Sequence, residues 1–394
     1  MAEEVLADMP DKGNFRSLVD QQAVWDRLTA AFRNGRISSA YLFQGPAGTG
    51  KEGFALKFAA LLNCRNPGKD PCGECPSCTK FGALQHPNLT LVVPLPRDRD
   101  IKKDDPPARA LSDKTLATLQ KLTAKKGSDP YCKIDLPRAN TILLVSIRYI
   151  RKKIYLKSIE SGRKMIILFD AHKLMTQQAE SGNALLKILE EPPADTTFVL
   201  TTEYPERLSE TIRSRCQGIY FPPVPEKDIV HLLTETMGKE ESEALLIAHF
   251  SQGNVRTARS LAREKLEELD ALLDSLIDWT TSGSGSGWRS FLHHGISVYR
   301  TDAGEFSFHL QLLSYWFRDA MYLQKGDGDA ELILGRREAR IREFAKKYPD
   351  ANFPEIISSV ETCTHSLSRN RNINLVLTNL LLDIELNLKG GGVE

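Results

Sequence analysis

The chain of 394 residues has room for two or three domains at roughly 150 residues each. Hydrophobic residues make up 41% and charged residues 26%, a balance that excludes a mainly disordered or collagen-like chain. With 52 basic against 51 acidic residues the formal net charge is +1, so any attraction for nucleic acid must be local.

The longest apolar runs, such as Met165–Phe169 and Ile142–Val145, fall far below the roughly 18 residues of a membrane span. Met1 to Lys12 is acidic and lacks an apolar core, so no signal peptide is expected. These features lead us to expect a cytoplasmic protein with no membrane partner. Seven cysteines are too few and too unevenly placed for a disulfide scaffold.

Taken in chain order, Leu18, Val24, Leu28 and Phe32 give helical spacing over Phe15–Asn34, and Gly35 follows as a stop. A short strand, Ala40–Phe43, leads into the glycine-rich turn Gly45–Gly50. A helix is then expected from Lys51 to Asn63. Further strands are expected at Leu89–Val93, Met165–Phe169, Thr197–Thr202 and Gly218–Phe221, with helices at Val145–Ile159, Gln177–Glu191 and Pro205–Ile212. Alternating strands and helices predict a parallel α/β sheet over about residues 1–222.

After Pro222-Pro223 the pattern is helical only. We expect a small helical domain at 223–279, a flexible linker at 280–287 (TTSGSGSG) and a second helical domain at 288–394, ending in the amphipathic stretch Ile373–Leu388. Residues 97–138 fit none of these elements. They carry 11 basic and 7 acidic residues with Pro106-Pro107, Gly127 and Pro130, and read as a solvated insertion, with a partner-binding arm as the alternative.

Gly45-Pro46-Ala47-Gly48-Thr49-Gly50-Lys51 matches G-x-x-x-x-G-K after a strand and at the opening of a helix. There Gly45, Gly48 and Gly50 let backbone N–H groups face phosphate oxygens, and Lys51 adds a full positive charge. The next residue should be Ser or Thr, whose hydroxyl holds Mg²⁺. It is Glu52, whose charge opposes a bound triphosphate. The strand Met165–Phe169 ends in Asp170, the position that orients Mg²⁺, yet the glutamate expected to follow is Ala171. The two departures predict weak or absent turnover and leave open whether ATP and Mg²⁺ bind.

Cys64, Cys72, Cys75 and Cys78 lie in a Gly/Pro-rich loop, and their CxxC steps suit a tetrahedral structural Zn²⁺. Cys132, Cys216 and Cys363 are isolated thiols. Ser214-Arg215-Cys216 places an arginine just past the short helix after the fourth strand, either as a surface charge or as a finger reaching a neighbour's γ-phosphate. Thr201-Thr202 sits where a phosphate-sensing residue or an ordinary strand end would lie. Arg148–Lys164 holds seven basic residues against Glu160, which suits a solvated helix face or a phosphate-tracking one.

The phosphate loop, the four cysteines, "HPN" at His86–Asn88, Asp170, "NALLKILEEPP" at Asn183–Pro193 and "TIRSRCQ" at Thr211–Gln217 together resemble the delta-prime subunits of the bacterial replicative clamp loader, part of DNA polymerase III. Gly253–Arg256 is similar to a sensor 2 segment, and "NINLVLTNLLL" at Asn372–Leu382 to a collar helix. The resemblance implies an AAA+ core, a helical lid and an all-α collar that joins five subunits. It also implies Thr202 and Arg256 at a degenerate nucleotide site and Arg215 as a finger acting in trans. The implied partners are gamma/tau and delta subunits, the sliding clamp and primed DNA. Gamma/tau subunits keep the Ser/Thr and the glutamate missing here. The alternatives are an active ATPase of that type, and a zinc-bearing nucleic-acid binder using Arg148–Lys164.

Overall fold

The computed structural model describes residues 14–19, 21–158, 160–175, 180–263, 266–283, 285–301, 303–326, 332–368 and 371–390. The chain divides into two compact units, one up to Leu232 plus Gln252–Thr257, the other Leu233–Ser251 plus the chain from Ala258 onward.

The first unit is built on a parallel sheet of β1 (Ala40–Gln44), β2 (Leu89–Val92), β3 (Lys164–Leu168), β4 (Thr196–Thr202) and β5 (Gln217–Tyr220), in the order β2-β3-β4-β1-β5. Each expected strand is present to within a residue or so. Side chains alternate across the pleat. Tyr41, Phe43, Met165, Ile167, Val199 and Ile219 bury on one face, against α1 (Gln22–Arg33), α2 (Lys51–Leu62) and α3 (Pro76–Gly82). Leu42, Ile166, Leu168, Phe198 and Leu200 bury on the other face. Helices α5 (Leu144–Tyr155), α6 (Glu180–Glu190) and α7 (Glu210–Ser214) cover that side, with α4 (Asp113–Ser128) preceding them in the chain. The N-terminal part of the helix expected at Gln177–Glu191 lies outside the described residues.

Three expectations are corrected here. The segment Phe15–Asn34 is not one helix, because the Val19 N–H leaves the helical ladder for the Tyr131 hydroxyl at 2.9 Å and α1 starts only at Gln22. Pro205–Ile212 is also broken: a short 3₁₀ turn, Pro205–Arg207, gives way to α7, whose first turn is capped by the Ser209 hydroxyl accepting from the Ile212 N–H at 3.4 Å. The largest correction concerns residues 97–138. They contain α4, capped by Ser112, and contribute the buried Ala110, Leu111, Tyr131, Ile134 and Leu136 to the core. Asp98 closes the base of this segment by accepting from Ser112 N at 3.1 Å, Thr115 Oγ1 at 2.6 Å and Arg138 Nη2 at 2.8 Å. It is a docked part of the fold, not a solvated arm.

Helices α8 (Glu226–Met237), α9 (Glu241–Ser251) and α10 (Val255–Leu261) follow the sheet. Then come α11 (Leu266–Thr281), α12 (Ser286–Thr301), α13 (Ala303–Lys325), α14 (Glu338–Lys347), α15 (Phe353–Ser368) and α16 (Ile373–Leu388). The second unit packs around Phe306, Leu310, Trp316 and Phe317 of α13 and Leu377, Leu381 and Ile384 of α16, all buried. Thr280 and Thr281 donate their hydroxyls back to helix carbonyls, Thr280 to Leu276 at 2.7 Å and Thr281 to Ile277 at 2.7 Å. They thereby carry α11 into the run expected to be a linker. Apart from residue 284, which lies outside the described residues, 280–287 is two helix ends and a turn through Gly283 and Gly285, both at positive φ.

Candidate functional site

In a parallel sheet, loops at the carboxyl ends of the strands gather where the strand order reverses. Here the phosphate loop follows β1, Asp170 follows β3 and Thr202 ends β4. They line one cavity with Gly48, Gly50, Lys51, Glu52, Glu203 and Arg256. Lys126, Pro130 and Tyr131, from the segment read as an insertion, line it too. Gly45 lies against the backbone of Phe221, and a Cβ at Gly48 would sit 1.7 Å from Asn254 Oδ1. Asn254 caps α10 by accepting from the N–H groups of Arg256 at 3.1 Å and Thr257 at 3.2 Å.

The polar side chains of this cavity are already engaged. Lys51, buried, donates to the Gly45 carbonyl at 2.8 Å, to the Pro46 carbonyl and to Thr49 Oγ1 at 3.3 Å. Burial lowers its pKa to about 8, against the opposing pull of Glu203 and Glu52. Glu52 forms an ion pair with Lys126, a lysine only 1% exposed that also donates to Pro130 O at 2.8 Å. Asp170 has Lys133 at 3.5 Å and Lys173 at 3.7 Å. Burial alone would raise its pKa, but these two ammoniums outweigh that and hold it below the usual carboxylate value. Arg256 reaches Glu203 at 3.3 Å. The Thr202 hydroxyl accepts from Tyr204 N at 3.0 Å and lies 3.2 Å from His172 Nδ1. Ala171, at the position after Asp170, is buried in the apolar core and carries no carboxylate.

About 30 Å³ at the centre of the cavity is open to the centres of water-sized molecules, room for two or three waters at about 10–15 Å³ each. The chemistry of these residues does not suit a magnesium nucleotide: a carboxylate, Glu52, replaces the metal-binding hydroxyl, and Asp170 is engaged by two lysines. Sequence reasoning found Lys51, Asp170, Thr202 and Arg256 but missed Lys126, Lys133 and Glu203. In the sequence the two lysines are only two of the 11 basic residues of 97–138.

Arg215 is not among the cavity-lining residues. It ends α7, donates Nη1 to Thr211 O at 3.1 Å and Nη2 to Glu190 Oε1 at 3.0 Å, and keeps 36% of its side chain exposed. In the basic run Arg151 and Lys152 of α5 and Lys157 just past it are exposed, while Arg148, Lys153, Arg163 and Lys164 are half-buried; Tyr155 and Leu156 beside them are 66% and 64% exposed. Lys152 is paired with Asp104 at 2.6 Å.

The four cysteines converge. Cys64 follows the end of α2, Cys75 caps α3 with Pro76 in its first turn, and Cys78 lies on α3. Their sulfurs all lie within 4.8 Å of one another. The N–H groups of Cys72, Cys75 and Cys78 donate to the sulfurs of Cys64, Cys72 and Cys75 at 3.3, 3.4 and 3.4 Å. Burial opposes ionisation of Cys75, yet N–H donors from Arg65 and Cys78 bring its pKa down to about 6, while burial pushes Cys64 and Cys78 up. Four thiols at this separation fit a tetrahedral metal ion, for which ligands about 2.3 Å from the centre lie roughly 3.8 Å apart. The neighbouring His86 has a bracing role: its Nδ1 accepts from Asn88 N at 3.1 Å, Nε2 meets Ser77 Oγ at 3.1 Å, and the ring stacks on Phe81 at 4.2 Å.

Comparison with known proteins gives the family. The family model "DNA polymerase III, delta subunit" matches residues 20–225, just over half of the chain, and "DNA polymerase III, delta subunit, C terminal" matches 298–386. The chain is 28% identical over 366 residues to DNA polymerase III subunit delta' of Bacillus subtilis, covering 93% of this chain and 96% of that protein. It is 27% identical to the delta' subunit of Escherichia coli over 373 residues, covering 94% and 95% of the two chains. The gamma/tau subunit of Mycobacterium tuberculosis strain H37Rv is 29% identical over 267 residues, which cover 67% of this chain and 38% of that protein. With the parallel sheet, the phosphate loop and a relationship that runs nearly end to end with delta' proteins, the chain belongs to the DNA polymerase III delta-subunit family, on its delta' branch.

Proposed function

We propose that this chain is a non-hydrolysing stator of a clamp loader: a subunit that joins gamma/tau- and delta-type subunits in a five-membered ring and presents Arg215 to ATP bound by its neighbour. The observation that carries this reading is the contrast between a phosphate cradle whose charges are paired internally and a half-exposed arginine outside it. The Glu190 carboxylate holds Arg215 at the surface, and a γ-phosphate with more negative charge would compete for it. Residues 223–279 would serve as the lid and 288–394 as the collar, and the assembled ring would place the sliding clamp on primed DNA in the cytoplasm. Zn²⁺ is the metal we assign to Cys64, Cys72, Cys75 and Cys78, since all four ligands are thiolates and none is left open for water.

An active gamma/tau-type ATPase is the weaker reading, because Glu52 and Ala171 stand where it needs a metal-binding hydroxyl and a base. The test is reconstitution with gamma/tau and delta subunits. The wild-type chain is expected to co-elute with them, and Arg215→Ala to leave the ring intact while slowing single-turnover hydrolysis at the facing site about a thousandfold. Unchanged DNA-stimulated turnover in that variant would remove the finger, and failure to co-elute would remove the stator.

A further inference from the structure

We infer that residues 97–138 form a built-in plug for the phosphate loop, with Lys126 and Lys133 standing where a nucleotide-binding relative places its magnesium ion. The inference deepens the reading above by naming what keeps the site from accepting a nucleotide, and it rests on that reading.

Two carboxylates crowd this cavity on positions that serve a metal in an active site. Asp170 would orient the metal's waters, and Glu52 replaces the hydroxyl that would ligate it. A carboxylate held out of water without a partner is costly, and Asp170 is buried and Glu52 half-buried, so folding this loop without metal draws on cations elsewhere in the chain. The plug supplies one for each carboxylate, beside Lys173, which also reaches Asp170 at 3.7 Å. Lys126, at the end of α4, pairs with Glu52 and also lies 5.2 Å over the ring of Phe169. Lys133, a few residues on, reaches Asp170 at 3.5 Å.

The backbone is fitted to this arrangement. Gly53 is in the first turn of α2, and an added Cβ there would lie 2.9 Å from Pro130 and 2.6 Å from Leu18, so the plug packs closely against the helix start. Tyr131 packs beside Gly50, and its hydroxyl takes the Val19 N–H at 2.9 Å, tying the plug to the segment that precedes α1. Asp98 fastens the plug's base by its bonds to Ser112, Thr115 and Arg138. The residual space of about 30 Å³ is what this packing leaves.

Isothermal titration with MgATP tests the inference on four full-length proteins: wild type, Glu52→Thr, Glu52→Thr/Lys133→Gln, and Glu52→Thr/Lys126→Met/Lys133→Gln. Methionine keeps the volume of the buried Lys126, and the threonine removes the carboxylate that it would leave unpaired. The triple variant is expected to bind MgATP at least tenfold more tightly than Glu52→Thr, with the double variant between them and wild type weakest. If the triple variant loses its native circular dichroism, the double variant decides, since Lys133 is 29% exposed and glutamine is tolerated there. Tight MgATP binding by wild type overturns the plug, as does a folded triple or double variant that binds no better than Glu52→Thr. These affinities are read on the isolated chain, so a failure of Arg215 to act in the assembled ring would sink the stator reading without altering them.

Discussion

Replacing Cys78 with serine is expected to lower the melting temperature by roughly 10–20 °C and to abolish stoichiometric zinc. The four sulfurs link the end of α2 to both the cap and the first turn of α3, so a metal there fastens the helix that opens at the phosphate loop to the element beside it. The loop's other ties are ion pairs at the surface, Asp70 with Lys57 at 2.7 Å and Lys69 with Asp26 at 3.3 Å, and such pairs contribute little; Cys64 to Cys72 otherwise runs through Gly68 and exposed polar residues. Losing a structural metal belongs to the short list of changes that cost more than about 4 kcal/mol. At roughly 2–4 °C per kcal/mol for a domain of this size, the shift follows. Elemental analysis and a melt with and without chelator read it directly. A protein purified without metal, with a melting temperature indifferent to chelator and to Cys78→Ser, would show four thiols serving packing alone.

Gly45→Ala is expected to cost about 3–6 kcal/mol, the largest effect of any single methyl addition we foresee. Gly45 has φ +149°, and its added Cβ would lie 2.1 Å from the carbonyl oxygen of Phe221. That oxygen belongs to backbone directly following β5, where the Phe221 N–H donates to Gln44 O at 2.8 Å, so neither chain can yield without loosening the β1–β5 pairing. Strained backbone accounts for about 1–3 kcal/mol and overpacking for a similar amount. Gly35→Ala is the matched control. It shares a positive φ, +64°, but has nothing within 4 Å of the added carbon, so its cost should stay near 1–2 kcal/mol. Denaturant unfolding separates the two, and equal costs would mean that the close approach at Phe221 carries no weight.

The sheet was legible because buried parallel strands leave short, dense apolar runs, and Met165–Phe169 or Thr197–Thr202 could hardly be anything else. The four cysteines and the phosphate loop were legible for a related reason: their chemistry needs fixed spacings. Residues 97–138 misled because their charges and prolines outweighed a modest signal, Leu116, Leu119 and Leu122 on one side of α4, packed against the core. Ser112 before Asp113 was a helix start in plain view. The roles of Lys126 and Lys133 could not be read at all, since pairing with Glu52 and Asp170 joins positions 74 and 37 residues apart, and no local pattern encodes that. The run at 280–287 looked like a linker because its glycines and serines are, by composition, those of a coil, whereas its threonines bond back into α11.

The central claim is that the chain holds a phosphate loop it does not use for turnover. Steady-state ATP hydrolysis by the purified chain alone, with magnesium and with or without primed DNA, tests this most directly. We expect no release of phosphate above the background of the Lys51→Ala variant. Brisk hydrolysis that Lys51→Ala abolishes would contradict the account.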